Sequence, residues 1–126
     1  MNDENMKVNI LGTEYEIIKK AYNDEPVFKK NKFVGFCDSY TKTIIYCDLT
    51  TIEDWQDEPK ITIKRCEMET LRHEIVHAFF NESGLQSSSF FYDGPYAKNE
   101  EMVDWIALQG EKIYKAWKSV GAIEEV

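Results

Sequence analysis

The chain has 126 residues, of which 43% are hydrophobic and 30% are charged, and its formal net charge at pH 7 is −8. This length fits one domain spanning residues 1–126, and the apolar fraction is sufficient for one modest core. The acidic balance disfavours nucleic acid as a partner, because a negative surface repels phosphate backbones. No stretch approaches the roughly 18 apolar residues of a membrane span, so we expect no membrane partner.

The N-terminus and the cysteines both predict a cytoplasmic protein. Residues 1–5 are acidic and polar and lack the positive start and apolar core of a signal peptide. Three cysteines form no dense framework, which is typical of reduced thiols. Cys37 and Cys47 would face each other across a hairpin, which is compatible with a redox or metal role. Free cysteine, however, is more often a small buried hydrophobe.

Alternating apolar and polar residues predict two β-hairpins in the first half of the chain. The first covers residues 6–19 and turns at Leu11 and Gly12, and the second has strands at 33–38 and 43–49. The last of these strands is apolar on both alternating sets, which indicates that it is covered on both faces. Residues 21–31 are polar and contain Pro26, so they are interpreted as a connection.

The second half of the chain predicts two main helices, at 61–83 and 99–119, separated by a long loop at 84–98. The inward stripe predicted for the second helix is Val103, Ile106, Gly110, Ile113 and Trp117. Gly110 within that stripe would let another helix approach closely. The predicted fold is therefore α+β, with a small, mostly antiparallel sheet packed on two helices.

The first of these helices contains His73-Glu74-Ile75-Val76-His77, and these are the chain's only histidines. Residues four apart lie on one helix face, with β-carbons about 5–6 Å apart, so both imidazoles can bind one metal ion. Glu74 lies about 100° further round the helix and can remove a proton from a water activated by that ion. An apolar stripe lies on the opposite side, formed by Met68, Leu71, Ile75, Ala78 and Phe79. A helix with this distribution is typical of a wall that lines a cleft.

A catalytic zinc ion usually has three protein ligands, and without a third histidine the remaining ligand is expected to be a carboxylate. The candidates are Glu82, Asp93, Glu100, Glu101 and Asp104. Glu100 lies at the edge of the apolar stripe, whereas Glu101 is turned about 100° towards solvent. Asp104 shares the face of Glu100 and can accept a hydrogen bond from a zinc-bound histidine. We therefore favour Glu100 as ligand and Asp104 as orienting group, with Glu101 as the alternative ligand.

The signature, followed by Asn99-Glu100-Glu101-Met102-Val103-Asp104 on a later helix, resembles the gluzincin-type zinc metallopeptidases. The small size and the Asp104-Trp105-Ile106-Ala107 continuation are similar to the ImmA/IrrE-like metallopeptidases of bacteria, phages and mobile elements. The resemblance covers residues 40–110 and implies a zincin-like fold. In that family pattern the glutamate binds zinc and the aspartate supports a histidine. The resemblance also implies cleavage of a regulatory protein.

The sequence thus predicts an intracellular zinc endopeptidase with one Zn²⁺ per chain and a protein or peptide substrate. The two histidines and Glu100 would bind zinc, and Glu74 would act as general base and then as general acid. Tyr92 or Tyr96, in the loop between the ligand helices, can supply a phenol that stabilises the oxyanion. Aromatic packing is the more common role for such residues and is the alternative.

Two other interpretations remain open. A zinc-binding interaction module without turnover would use the acidic surface and the aromatic segment 90–96 to bind a partner. A metal-free structural protein would carry the two histidines by chance, as any short motif can.

Overall fold

A computed structural model describes residues 5–84 and 100–124, with the backbone alone described for residues 100–104 and 107. The strands are β1 (Asn5–Ile10), β2 (Thr13–Ala21), β3 (Gly35–Asp38) and β4 (Thr43–Asp48). The α-helices are α1 (Pro26–Asn31), α2 (Lys60–Ser83) and α3 (Glu100–Ser119). Within the described residues, no helix combines the length and apolarity needed to cross a bilayer. The predicted α+β class is confirmed.

The four strands form one sheet in the order β1-β2-β4-β3. Two pairings are antiparallel, β1 with β2 and β3 with β4, so both predicted hairpins are present. The third pairing joins β2 to β4 in parallel, with Ile17 beside Ile44. The mostly antiparallel sheet is thus confirmed. This order places β3 at an edge of the sheet, where it lies beside α2.

The first hairpin turns where the sequence predicts, because Leu11 and Gly12 both have positive φ values of 51° and 94°. A two-residue hairpin turn of this kind requires positive φ at both positions. The side chain of Asn9 accepts a hydrogen bond from the Gly12 N–H at 2.9 Å. Local chemistry therefore determines the register between β1 and β2.

The main core lies between one face of the sheet and the helices α2 and α3. Its α2 side is the predicted stripe, since Leu71, Ile75, Ala78 and Phe79 are at most 3% exposed. Alternate residues of the strands supply the sheet side: Val8, Ile10, Tyr15, Ile17, Ile44 and Tyr46. The stripe prediction for α2 is confirmed.

A second cluster covers the opposite face of β4, where Cys47 is 1% exposed. It also contains Phe28 of α1, Leu49 and Ile63. Because Ile44 and Tyr46 belong to the main core, β4 is covered on both faces, as predicted. A side chain in either cluster stabilises the fold by roughly 1.5–3 kcal/mol when fully buried.

The interpretation of residues 21–31 as a simple connection is wrong, because α1 lies within them. The side chain of Glu25 accepts a hydrogen bond from the Val27 N–H at 3.3 Å, and Pro26 occupies the first helical position. Proline is favoured there because its fixed φ suits the helix and no N–H is lost from the hydrogen-bond ladder. Pro26 therefore begins a helix that delivers the fully buried Phe28.

Cys37 and Cys47 do not face each other, so that prediction is also wrong. The β3–β4 register places Cys37 beside Ile44 rather than Cys47. Cys37 packs against the main core and Cys47 against the second cluster, on opposite faces of the sheet. Both are free thiols, as is Cys66.

The stripe predicted for α3 is only partly right. Ile113 is 7% exposed, but Ile106 is 53% exposed, and the core also uses Ala116 and Val120. No described atom lies within 4 Å of the position that a β-carbon would take at Gly110, so Gly110 provides no close helix approach. The C-terminal half of α3 therefore makes the main contact with the core.

Candidate metal centre

His73 and His77 lie side by side on one face of α2, as their four-residue spacing predicts. Their Nε2 atoms are 3.1 Å apart, and their ring planes meet at 68°. The helix is continuous from Lys60 to Ser83, so the turn that carries the motif is held on both sides. The two imidazole nitrogens are therefore close enough to contact one common atom.

This geometry fits a zinc ion. Two nitrogens bound at 2.0–2.1 Å to a tetrahedral zinc lie about 3.3 Å apart, close to the separation of the two Nε2 atoms. Without metal, one imidazole N–H can donate to the other nitrogen. Burial, together with the neighbouring His73, lowers the pKa of His77. The neutral imidazole, which is the form that binds metals, is thus favoured at His77.

Glu74 is the only buried charged or polar side chain among the described residues, with an exposure of 6%. None of the hydrogen bonds or ion pairs formed within residues 5–84 and 105–124 involves its carboxylate. Burial raises the pKa of Glu74 to about 7. A carboxyl group of this kind can both accept and release a proton near neutral pH. Carboxyl groups with a perturbed pKa in clefts are concentrated at functional sites, so Glu74 is a candidate functional residue.

A cleft of about 580 Å³ opens between β3 and the histidine face of α2. The prediction that α2 is the wall of a cleft is confirmed. The described side chains that line it are Phe33, Phe36, Cys37, Ser39, Tyr40, His73, Glu74, His77 and Asn81. Gly35 also borders the cleft and lies opposite Glu74.

Asn81 is a cleft residue that the sequence analysis did not single out. It lies in the last turn of α2, which ends at Gly84 with φ 87°, and the Gly84 N–H donates to the Asn81 carbonyl. The Asn81 side chain lies on the histidine face, with its Nδ2 3.6 Å from Cys37 Sγ. The sequence spacing could have predicted this position, since His73, His77 and Asn81 follow one another at intervals of four residues and so share one helix face.

Cys37 lines the cleft as a thiol rather than a thiolate. Burial, with the nearby charges of Glu74 and Asp38, raises the pKa of Cys37 to about 12. Nucleophilic attack needs the thiolate, so without metal Cys37 is not activated as a nucleophile. In that state its side chain contributes shape and polarity to the cleft.

Glu82 is excluded as the third ligand because its carboxylate is already bound elsewhere. Its Oε1 accepts a hydrogen bond from Thr13 at 2.9 Å. Its Oε2 accepts hydrogen bonds from Tyr15 at 2.7 Å and from Lys42 at 2.8 Å. Glu82 thus connects the end of α2 to both hairpins, with its side chain only 13% exposed. Burial alone would raise the pKa of Glu82, but these three donors outweigh it and lower the pKa.

Replacing Glu82 by glutamine is expected to destabilise the protein by about 2 kcal/mol at pH 7, the loss typical of hydrogen bonds to a charged group. Because the folded pKa is depressed, this contribution is present above the ordinary value of 4.5 and is lost as pH falls through the folded pKa. Urea unfolding of wild type and Glu82→Gln at pH 7 and at pH 3 measures the difference. Glu14→Gln is the control, because its ion pair with Lys7 is exposed. A wild-type advantage that persists undiminished in acid would contradict this account.

The structure does not describe the side chains of the other predicted site residues. Asp93, Tyr92 and Tyr96 lie outside the described residues. The residues Glu100, Glu101 and Asp104 lie on the first turns of α3, and their side chains lie outside the description. Among the side chains that are described, no group of three His, Cys, Asp or Glu residues can hold a metal ion. The third ligand remains a prediction.

The start of α3 nevertheless lies close to the motif. Trp105, which follows Asp104, packs against Phe79 and Phe80 with ring centroids 6.5 and 5.0 Å apart. Phe80 lies three residues after His77 in α2. The backbone of the first turns of α3 is therefore close to the part of α2 that carries the histidines.

Comparison with protein-family models, with curated proteins and with solved structures yields no match for this chain.

Proposed function

We propose that this protein is a zinc-dependent endopeptidase of the gluzincin type, acting in the cytoplasm on a protein or peptide substrate. One observation carries the proposal. Two imidazole nitrogens 3.1 Å apart and a buried carboxylate line the same open cleft. A histidine pair that served only packing would not require a buried carboxylate on the same cleft wall.

Zinc would be held by His73, His77 and Glu100, with Glu101 as the alternative third ligand. Asp104 would orient one histidine by accepting a hydrogen bond from its other ring nitrogen. When bound, zinc supplies Lewis acidity, which polarises a peptide carbonyl and makes water nucleophilic near neutral pH.

Glu74 performs the proton transfers in this proposal. A carboxylate oxygen takes a proton from the attacking water and then delivers it to the nitrogen of the leaving amine. Burial raises the pKa of Glu74 to about 7 in the metal-free protein, and a bound zinc ion would lower it and favour the carboxylate that accepts the proton. Tyr92 or Tyr96 would donate a hydrogen bond to the developing oxyanion.

The substrate is proposed to be an extended segment of a regulatory protein in a phage or mobile-element setting, as the family resemblance implies. The cleft is open to solvent and is bordered by the edge strand β3. Exposed edge strands accept extended peptides by forming backbone hydrogen bonds.

The proposal is tested by elemental analysis and by a peptide-library cleavage assay on the purified protein. We expect one zinc per chain, and cleavage that EDTA abolishes and added zinc restores. Stoichiometric zinc without any cleavage would instead favour a zinc-binding interaction module. Absence of bound zinc after reconstitution would favour a metal-free structural protein and overturn the proposal.

The third ligand is tested by comparing Glu100→Ala with Glu101→Ala. Loss of the ligand should weaken zinc binding about 100-fold or more. This exceeds the usual cost of losing a group that only hydrogen-bonds to a metal ligand. Competition with a chromophoric chelator measures the zinc Kd. We expect the large effect in Glu100→Ala and a small one in Glu101→Ala. The reverse pattern would assign the ligand to Glu101.

A further inference from the structure

The edge strand β3 makes its closest approach to α2 at Gly35. A β-carbon added to Gly35 would lie 2.6 Å from Thr70 Cγ2, 3.4 Å from Glu74 Oε2 and 3.5 Å from Glu74 Cγ. The first distance is far below normal van der Waals contact between carbon atoms. Any side chain at this position would therefore require either the Thr70 side chain to move or β3 to shift away from α2.

Space, rather than backbone conformation, explains glycine at this position. Gly12, Gly84 and Gly121 have positive φ values that favour glycine, whereas Gly35 does not. Glycine inside a strand weakens it and often marks a site where another group approaches closely. Among the described glycines, Gly35 is thus distinguished by its contact with the turn that carries Glu74.

We propose that Gly35 is a positioning residue for the catalytic carboxylate. By lacking a side chain, it lets β3 lie directly against Thr70 and Glu74, and this contact holds the carboxylate beside the histidine pair. This inference rests on the proposed function. Both histidines belong to one helical turn and move together, so a displaced β3 should disturb Glu74 more than the metal ligands.

The test uses Gly35→Ala, Thr70→Ser and the double variant. Thr70→Ser removes the clashing Cγ2 and keeps the hydroxyl that donates to the Cys66 carbonyl at 3.0 Å. Gly110→Ala is the matched control, since no described atom lies within 4 Å of its added β-carbon. Measurements are the zinc Kd, kcat and KM for a peptide that wild type cleaves, and the thermal unfolding midpoint without metal.

We expect Gly35→Ala to lower kcat about 10- to 100-fold, as displacements near 1 Å do. Its zinc Kd should change less than about threefold, because the histidine pair stays intact. The double variant should recover at least half of the loss on a logarithmic scale. Gly110→Ala should match wild type in kcat and zinc Kd, and its unfolding midpoint should not fall, because alanine is favoured over glycine inside a helix.

Three results would overturn the inference: a wild-type kcat in Gly35→Ala, a loss of kcat that Thr70→Ser does not relieve, or an equal loss of zinc affinity. If wild type neither binds zinc nor cleaves peptides, the proposed function fails. The contact itself is then judged separately by metal-free unfolding. Recovery of the unfolding midpoint in the double variant would support the close approach, and its absence would refute it.

Discussion

Replacing Glu74 by glutamine is expected to lower kcat/KM for peptide hydrolysis by about 10²–10⁴-fold, the range that a general base contributes. Glutamine keeps the length and shape of the side chain but cannot accept the proton of the attacking water. Zinc should remain bound, because in this proposal Glu74 does not bind it. The measurement is steady-state cleavage of a library-derived peptide together with zinc content. Cleavage that survives the substitution unchanged would remove Glu74 from the mechanism.

The same variant should be more stable than wild type by roughly 1 kcal/mol, since a buried charge is replaced by a neutral group. Gains of this kind are typical where a residue is retained for activity at a cost in stability. Glu69→Gln is the matched control, because Glu69 is exposed on the same helix. It should change neither activity nor stability. Equal stabilities for Glu74→Gln and wild type would show that burial of the carboxylate costs nothing.

Much of the scaffold could be predicted from local patterns. The stripe on α2, from Leu71 to Phe79, follows the helical period, because every member packs on one sheet face. The turn at Leu11 and Gly12 follows from the residues that tolerate positive φ. These features depend on neighbours within about one turn or one hairpin.

Features that depend on distant contacts could not be predicted. The parallel pairing of β2 with β4 joins strands that are separated by α1 and β3, and no local pattern specifies it. That pairing makes β3 an edge strand and brings Gly35 to Thr70. Glu82 illustrates the same difficulty, since its partners Thr13 and Lys42 lie 69 and 40 residues away. Sequence spacing could therefore propose Glu82 as a ligand but could not reveal its other contacts.

The residues of the candidate centre also fall into two groups, those that a local pattern predicts and those that depend on distant contacts. His73, Glu74 and His77 share one helical turn, so their arrangement follows from the helix period alone. A third ligand on α3 must cross from another element, and its placement depends on how α3 packs. The contacts of Trp105 with Phe79 and Phe80 bring the two helices together at the appropriate point. Glu100 as the remaining ligand, with Glu101 as the alternative, stays a prediction.

Replacing His77 by alanine is expected to weaken zinc binding by about 10²–10³-fold. Structural zinc sites gain roughly 10–16 kcal/mol of binding free energy from four ligands, so one ligand contributes about 2.5–4 kcal/mol. In wild type, zinc at 100 times its Kd should stabilise the folded state by about 2.7 kcal/mol. His77→Ala should reduce that stabilisation to about 0.4 kcal/mol or less at the same zinc concentration. Thermal unfolding with and without zinc measures the effect and requires no substrate.

Asn81→Ala is the matched control, because Asn81 lies one turn beyond His77 on the same face and also lines the cleft. It should retain the zinc-dependent rise in Tm. The comparison also distinguishes a metal centre from a simple hydrogen bond between the two imidazoles. In the latter case His77→Ala would cost about 0.5–1.5 kcal/mol without metal, and zinc would stabilise neither protein. A zinc-dependent rise in His77→Ala equal to that of wild type would show that the ion binds elsewhere.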